Sequence, residues 1–202
     1  MTSKRRLIGL TGGISTGKTT VAKYLANAYK LPILDADIYA REAVAVGTKA
    51  INAIASRYGE QVLLADGSLN RQQLGAIVFN NDSERHWLEG QIHPEVRDRF
   101  IQEMKQLSTS SIVLVIPLLF EAQMTDLVTE IWVVYCPKQQ QLARLIERDR
   151  LTTEAAEARI NSQMPIEEKC DRADIILDNS STLKALLQQV DAAIKTQNSQ
   201  LF

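Results

Sequence analysis

The chain has 202 residues, 45% of them apolar and 23% charged, with 9 Gly and 5 Pro, a globular composition that excludes a disordered or collagen-like polypeptide. Lys and Arg total 23 against 24 for Asp and Glu, which excludes the basic surplus that nucleic acids or anionic membranes demand. Two cysteines, Cys136 and Cys170, and two histidines, His86 and His93, are too few for a disulfide framework or a zinc site, and ordinary thiols fit a reducing compartment.

In chain order, short β-branched apolar runs alternate with helical patterns. Strands are expected at residues 6–11, 31–34, 112–117, 131–135 and 175–177, mostly as unbroken apolar runs of the kind parallel strands show when both faces are covered. Helices are expected at 19–29, where Val21, Leu25 and Ala28 recur, and at 183–194, where Leu183, Leu186, Leu187, Val190 and Ile194 form one stripe. Between the second and third strands lie helical patterns at 48–58, 71–79, 84–92 and 94–107, with Pro94 suited to a first helical position and Asp66-Gly67-Ser68 as a turn. A second helical insertion, rich in arginine, runs from Pro137 to about Arg172. The longest apolar run, 112–120, contains a proline and is too short to span a bilayer, and the apolar stretch 7–10 is too short for a secretory signal. A cytoplasmic protein without membrane or nucleic-acid partners is expected.

Directly after the first strand and before the first helix stands Gly12-Gly13-Ile14-Ser15-Thr16-Gly17-Lys18-Thr19. This is Gly-x4-Gly-Lys-Thr in the strand–loop–helix context that marks a phosphate-binding loop. Amides of Gly13, Ile14, Ser15, Thr16 and Gly17, with the helix start at Lys18, Thr19 and Thr20, are the expected nucleotide cradle. Lys18 supplies charge to the β- and γ-phosphates, and the Thr19 hydroxyl is placed for Mg²⁺. The fold class is therefore α/β: a P-loop NTPase-type doubly wound parallel five-stranded sheet, with an inserted helical substrate domain and a helical lid.

A GTPase would carry Asp-x-x-Gly and Asn-Lys-x-Asp, and neither occurs. A motor-type ATPase would usually end its third strand in an acidic residue, whereas Leu114-Val115-Ile116-Pro117 has none. Carboxylates do follow the second strand, in Asp35-Ala36-Asp37. If the strand continues that far, both side chains share a face. Asp37 is then the expected base and orienter of an acceptor hydroxyl, and Asp35 a structural or magnesium-shell group. The alternative for each is a capping aspartate at a strand end.

Beyond the loop, Gly9-Leu10-Thr11-Gly12-Gly13-Ile14 and Asp35-Ala36-Asp37-Ile38-Tyr39-Ala40-Arg41 are followed by a further series. It comprises Leu69-Asn70-Arg71 with Leu74-Gly75 and Val78-Phe79, Ile92-His93-Pro94, Pro117-Leu118-Leu119-Phe120-Glu121 and Gln163-Met164-Pro165. In this order the set resembles the dephospho-CoA kinase family, from the first strand to about Asn179. The resemblance implies a nucleotide-binding core (1–40, 108–136 and 173–202), a helical acceptor domain (41–107) and a lid (137–172). It implies Mg²⁺-dependent transfer of the γ-phosphate of ATP to the ribose 3′-hydroxyl of dephospho-CoA, with Asp37 as the family's proposed base. It places Arg144 and Arg148 in the lid, for which a solvated helix face is the alternative. It brings Arg41, Arg71, His93 and Arg97 toward the acceptor, although a lone histidine is more often a packing residue. Pro117 and Leu118 either line the pocket or pack in the core, and Asn179 is positioned to read adenine.

Two departures stand out: Ser15-Thr16 where Gly-Ser is commoner, and Ser180-Ser181 where a glycine often follows Asn179. Other readings are a kinase for a nucleoside monophosphate or sugar, and a regulatory module that has lost transfer. A monomer or weak homo-oligomer is expected.

Overall fold

The computed structural model describes residues 5–78 and 81–198. Five strands form one sheet in the order β2-β3-β1-β4-β5: β1 Arg6–Gly12, β2 Ile33–Asp35, β3 Ser111–Val115, β4 Glu130–Tyr135 and β5 Ile175–Asp178. The first strand pairs in parallel with β3 and β4, and β4 in parallel with β5. The doubly wound parallel α/β expectation is thus met. The chain leaves β1 for one side of the sheet and later returns to the other. The carboxyl end of β1 therefore lies at the topological switch point, where such sheets bind ligands.

Central strands read as unbroken apolar runs because neither face reaches water. Ile8, Leu10, Val113, Trp132 and Val134 are fully or almost fully buried, packed with Val21 and Leu25 of α1 (Lys18–Tyr29) and with Leu186 and Val190 of the last helix. An ion pair seals the opposite end of the sheet. Arg6 pairs with Glu130, which also accepts from Trp132 Nε1 at 3.0 Å, while the same guanidinium donates to the carbonyls of Ala193 and Ile194.

The chain divides into two compact units, one made of residues up to Leu34 and from Ser108 onward, the other of Asp35–Leu107. The division falls earlier than residue 41 because a helix, α2 (Ala36–Ala43), begins at once after β2. Residues 137–172 form α6 (Lys138–Asp149), α7 (Thr153–Asn161) and α8 (Ile166–Asp171), and group with the sheet.

In the helical unit, α3 (Lys49–Tyr58), α4 (Arg71–Val78) and α5 (Asp82–Gln106) follow α2. Val44, Ala50, Ile54, Val62 and Leu74 form its core, with Trp87, Leu88 and Ile92 against it. Phe79, expected to end the helix at 71–79, lies outside the described residues. The two helices expected at 84–92 and 94–107 are one continuous helix with Pro94 inside it. The proline removes one N–H, but Ile92 packs against the core before it and Val96 and Phe100 stay buried beyond it, which holds the helix through the proline.

A cluster pins α3 to the start of α5. Arg57 donates to both oxygens of Glu84 at 2.7 and 3.0 Å, Tyr58 donates to Glu84 at 2.6 Å, and the guanidinium sits over Trp87. The guanidinium, and then the Tyr58 hydroxyl, lower the Glu84 carboxyl from 4.5 to about 2. A depressed carboxylate stabilises the fold above its unfolded pKa, and the contribution is lost as pH falls through the folded value. The Tm gap between the native protein and Glu84→Gln is therefore expected to be widest near neutrality and to close between pH 4.5 and about 2. Thermal unfolding across that range checks it, and a gap independent of pH would exclude the charge as its source.

Among the described residues no helix is long and apolar enough to cross a membrane.

Candidate active site

The phosphate loop fills the gap between Gly12, the last residue of β1, and Lys18, the first of α1. Two glycines are required by geometry. Gly12 has φ +144, and a β-carbon there would stand 2.5 Å from the Val134 carbonyl oxygen. Gly17 caps α1 at φ +109, and a β-carbon would strike the Asn179 amide. Thr16 is fully buried, and its hydroxyl donates to Gly13 O at 2.9 Å, closing the turn. Lys18 Nζ arches back to the carbonyls of Gly12 and Gly13 at 3.0 and 2.6 Å. Ser15 adopts φ +59, so the loop keeps a glycine-type backbone at a cost of about 1 kcal/mol. Its Oγ is the one buried side-chain oxygen or nitrogen among the described residues without a hydrogen-bond partner.

Around the loop, Asn179 follows β5, and its Nδ2 donates to Thr16 O at 2.8 Å. The side chain expected to read adenine is thus also a brace of the loop. Arg144 of α6 donates to the Asn179 carbonyl at 3.0 Å, and Gln140 to that of Ser180 at 3.0 Å. Ser180 N donates to Asp178 Oδ1 at 2.8 Å, so hydrogen bonds fix this turn. Arg148 lies one turn beyond Arg144, exposed, and pairs with Asp149 at 2.7 Å.

The third strand ends at Val115, short of the expected Pro117. Leu119 and Phe120 are buried in the core, while Pro117 and Leu118 are half-buried. The Pro117 carbonyl accepts from Thr11 Oγ1 and from Lys169 Nζ. The fully buried Lys169 also pairs with Glu121 at 2.8 Å. Sequence reasoning missed this pair, as it missed Gln140 and Gln141, and it singled out Gln163 only within the Gln163-Met164-Pro165 motif, without a role.

In the helical unit the strand does not continue to Asp37, so the shared-face expectation for the two aspartates fails. Asp35 ends β2 and caps α2 by accepting the Asp37 N–H at 2.8 Å. The cap turns the chain into a helix at Ala36 and puts Asp37 in its first turn. Arg41 lies in the last turn of α2, exposed. His93 and Arg97 stand one turn apart on α5, both half-buried, and Arg71 opens α4, exposed. A cavity of about 500 Å³ in this unit is lined by Tyr39, Glu42, Lys49, Glu95, Asp98 and Arg99, among others. Its three carboxylates outnumber its two cations, so it is poorly suited to a phosphate-bearing acceptor.

Among the described residues no group of three or more His, Cys, Asp or Glu forms a metal cluster. The oxygen donors expected for Mg²⁺, Thr19 and Asp35, are of the hard type this ion prefers, and it commonly takes one or two protein ligands together with substrate phosphates.

A family model described as dephospho-CoA kinase matches residues 6–185. The chain belongs to the dephospho-CoA kinase family. It is 62% identical over 190 residues to a dephospho-CoA kinase of Trichormus variabilis, covering 94% of this chain and 97% of the relative. A dephospho-CoA kinase of Synechococcus elongatus is 58% identical, covering 95% and 92%. The solved dephospho-CoA kinase from Campylobacter jejuni superposes with a TM-score of 0.71 at 30% identity, covering 97% of this chain and 98% of that one. Shikimate kinase from Acinetobacter baumannii, at 16% identity and a TM-score of 0.55, covering 98% and 96%, shares the fold.

Proposed function

We propose that this chain transfers the γ-phosphate of ATP to the ribose 3′-hydroxyl of dephospho-CoA, giving coenzyme A and ADP, the final step of coenzyme A biosynthesis. The observation that carries the reading is the closed phosphate loop at the carboxyl end of β1, with Lys18 poised over its first two carbonyls, in a chain of this family.

The loop amides and Lys18 hold the β- and γ-phosphates. Asp37 takes the proton from the 3′-hydroxyl as its oxygen attacks the γ-phosphorus, and the bond to the β–γ bridging oxygen breaks, with the electron pair leaving on ADP. Arg144, whose planar fork suits phosphate oxygens, offsets developing charge, and Arg148 joins it when released from Asp149. Thr19 and Asp35 would hold Mg²⁺, whose chemistry is to neutralise the phosphate oxygens. Residues 137–172 act as the lid. Residues 41–107 receive the acceptor through Arg41, Arg71, His93 and Arg97, with Pro117 and Leu118 beside it. The enzyme works in the cytoplasm as a monomer or weak homo-oligomer.

Incubation with ATP, Mg²⁺ and dephospho-CoA is expected to yield coenzyme A and ADP in equal amounts, resolved by chromatography. No product at generous enzyme concentration, or faster turnover of a nucleoside monophosphate or sugar offered in parallel, would overturn the reading.

A further inference from the structure

Both backbone polar groups of one phosphate-loop residue, Ile14, are held by side chains from the helical segment 137–172, which fixes the two peptide units on either side of its Cα. The Ile14 N–H donates to Gln163 Oε1 at 2.9 Å, and the Ile14 carbonyl accepts from Gln141 Nε2 at 2.7 Å. Because a backbone N–H can only donate and a carbonyl only accept, the partners themselves fix which way each amide faces. Gln141 is 3% exposed and lies on α6, whereas Gln163 lies in the turn between α7 and α8. That turn is itself anchored: Met164 N donates to Glu121 Oε1 at 3.0 Å, and the same oxygen pairs with the buried Lys169.

We infer that Gln141 and Gln163 are positioning residues for nucleotide binding, a clamp through which the arginine-bearing segment sets the shape of the phosphate loop. The inference rests on the reading that this loop holds the phosphates of ATP. Ile14 precedes Ser15 and Thr16, whose amides must turn toward the phosphates, and rotation of either peptide unit flanking the Ile14 Cα would swing them away. A loop ordered before the ligand arrives does not lose that freedom on binding. With its own N–H taken by Gln163, Ile14 contributes orientation, and the phosphates are met by the amides that follow. Residues whose contacts carry no charge and touch no substrate thereby govern affinity for a polyanion.

The test compares Gln141→Ala and Gln163→Ala with the native protein for binding of ATP and of adenosine, by calorimetry or displacement of a fluorescent nucleotide. Each variant is expected to bind ATP about five- to tenfold more weakly, the loss of one net hydrogen bond, with adenosine binding unchanged. KM for dephospho-CoA and kcat at saturating ATP should stay within about twofold of native. The double variant is expected to fall short of the product of the single effects, because both side chains act on adjacent peptide units of one residue. Native-like ATP binding in both single variants would overturn the clamp, as would equal losses for ATP and adenosine. Should the buried Gln141 variant not fold, the half-exposed Gln163 variant decides alone. A native protein that binds no ATP would sink the reading of the loop itself, whereas native binding with unaffected variants would sink only the clamp.

Discussion

Asp37→Asn is expected to lower kcat by at least about a thousandfold while leaving ATP binding within a fewfold of native, the upper part of the range for a lost general base. The substitution is nearly isosteric. It keeps the backbone N–H that Asp35 Oδ1 accepts at 2.8 Å, so the turn from β2 into α2 should survive. What it removes is the carboxylate proposed to accept the proton of the attacking hydroxyl. The competing account makes Asp37 a first-turn charge whose only role is to face the positive end of α2. On that account asparagine would cost at most about 1 kcal/mol of stability and leave turnover alone. Single-turnover phosphoryl transfer with pre-bound ATP, together with thermal unfolding, separates the two. A large drop in rate with Tm preserved assigns the base, and near-normal turnover removes Asp37 from that role.

The parts of the molecule legible in the sequence are those where one local rule decides. Ile8, Leu10, Val113 and Trp132 are buried because their strands are covered on both faces, and such strands appear as apolar runs whatever follows them. The loop was legible because a strand, glycines at set positions and a lysine at a helix start admit few other geometries. The helix α2 was not, since Tyr39 is its one buried residue and no apolar stripe announces it. Its signal was Asp35, weighed only as the alternative of a cap at a strand end, which caps a helix with an acidic first turn two places on. Pro94 misled in the opposite sense, because the rule that places proline at helix starts says nothing about a proline whose helix is held on both sides by packing. The glutamines carried no signal of their role, although Gln163 stands in one of the motifs of the resemblance. Gln141 and Gln163 are uncharged, belong to no spacing rule, and reach Ile14 across 127 and 149 residues of sequence. Their role exists only once the fold has brought the segments together.

Lys18→Ala is expected to reduce kcat/KM for ATP by about a hundred- to thousandfold, the loss seen when one well-placed donor to developing charge is deleted. The ammonium bridges the carbonyls of Gly12 and Gly13 at 3.0 and 2.6 Å. These contacts hold the charge at the mouth of the loop, where a phosphate would compete for it. Two consequences follow from that dual use. Removing Lys18 should also loosen the loop, lowering stability by about 1 kcal/mol for the lost hydrogen bonds, a Tm shift of a few degrees that calorimetry can read. Lys18→Arg should keep the charge yet recover little activity, because a planar guanidinium does not replace a compact ammonium seated between two carbonyls. If the loop amides alone carried phosphate affinity, Lys18→Ala would bind and turn over ATP within about tenfold of native, a residue of effect the amide donors and helix start can sustain. Measuring kcat and KM for ATP in both variants distinguishes a lysine that acts on the transferring phosphoryl group from one that merely ties the loop together. In the first case kcat falls and arginine does not rescue it. In the second, KM rises, kcat holds, and arginine restores most of the loss.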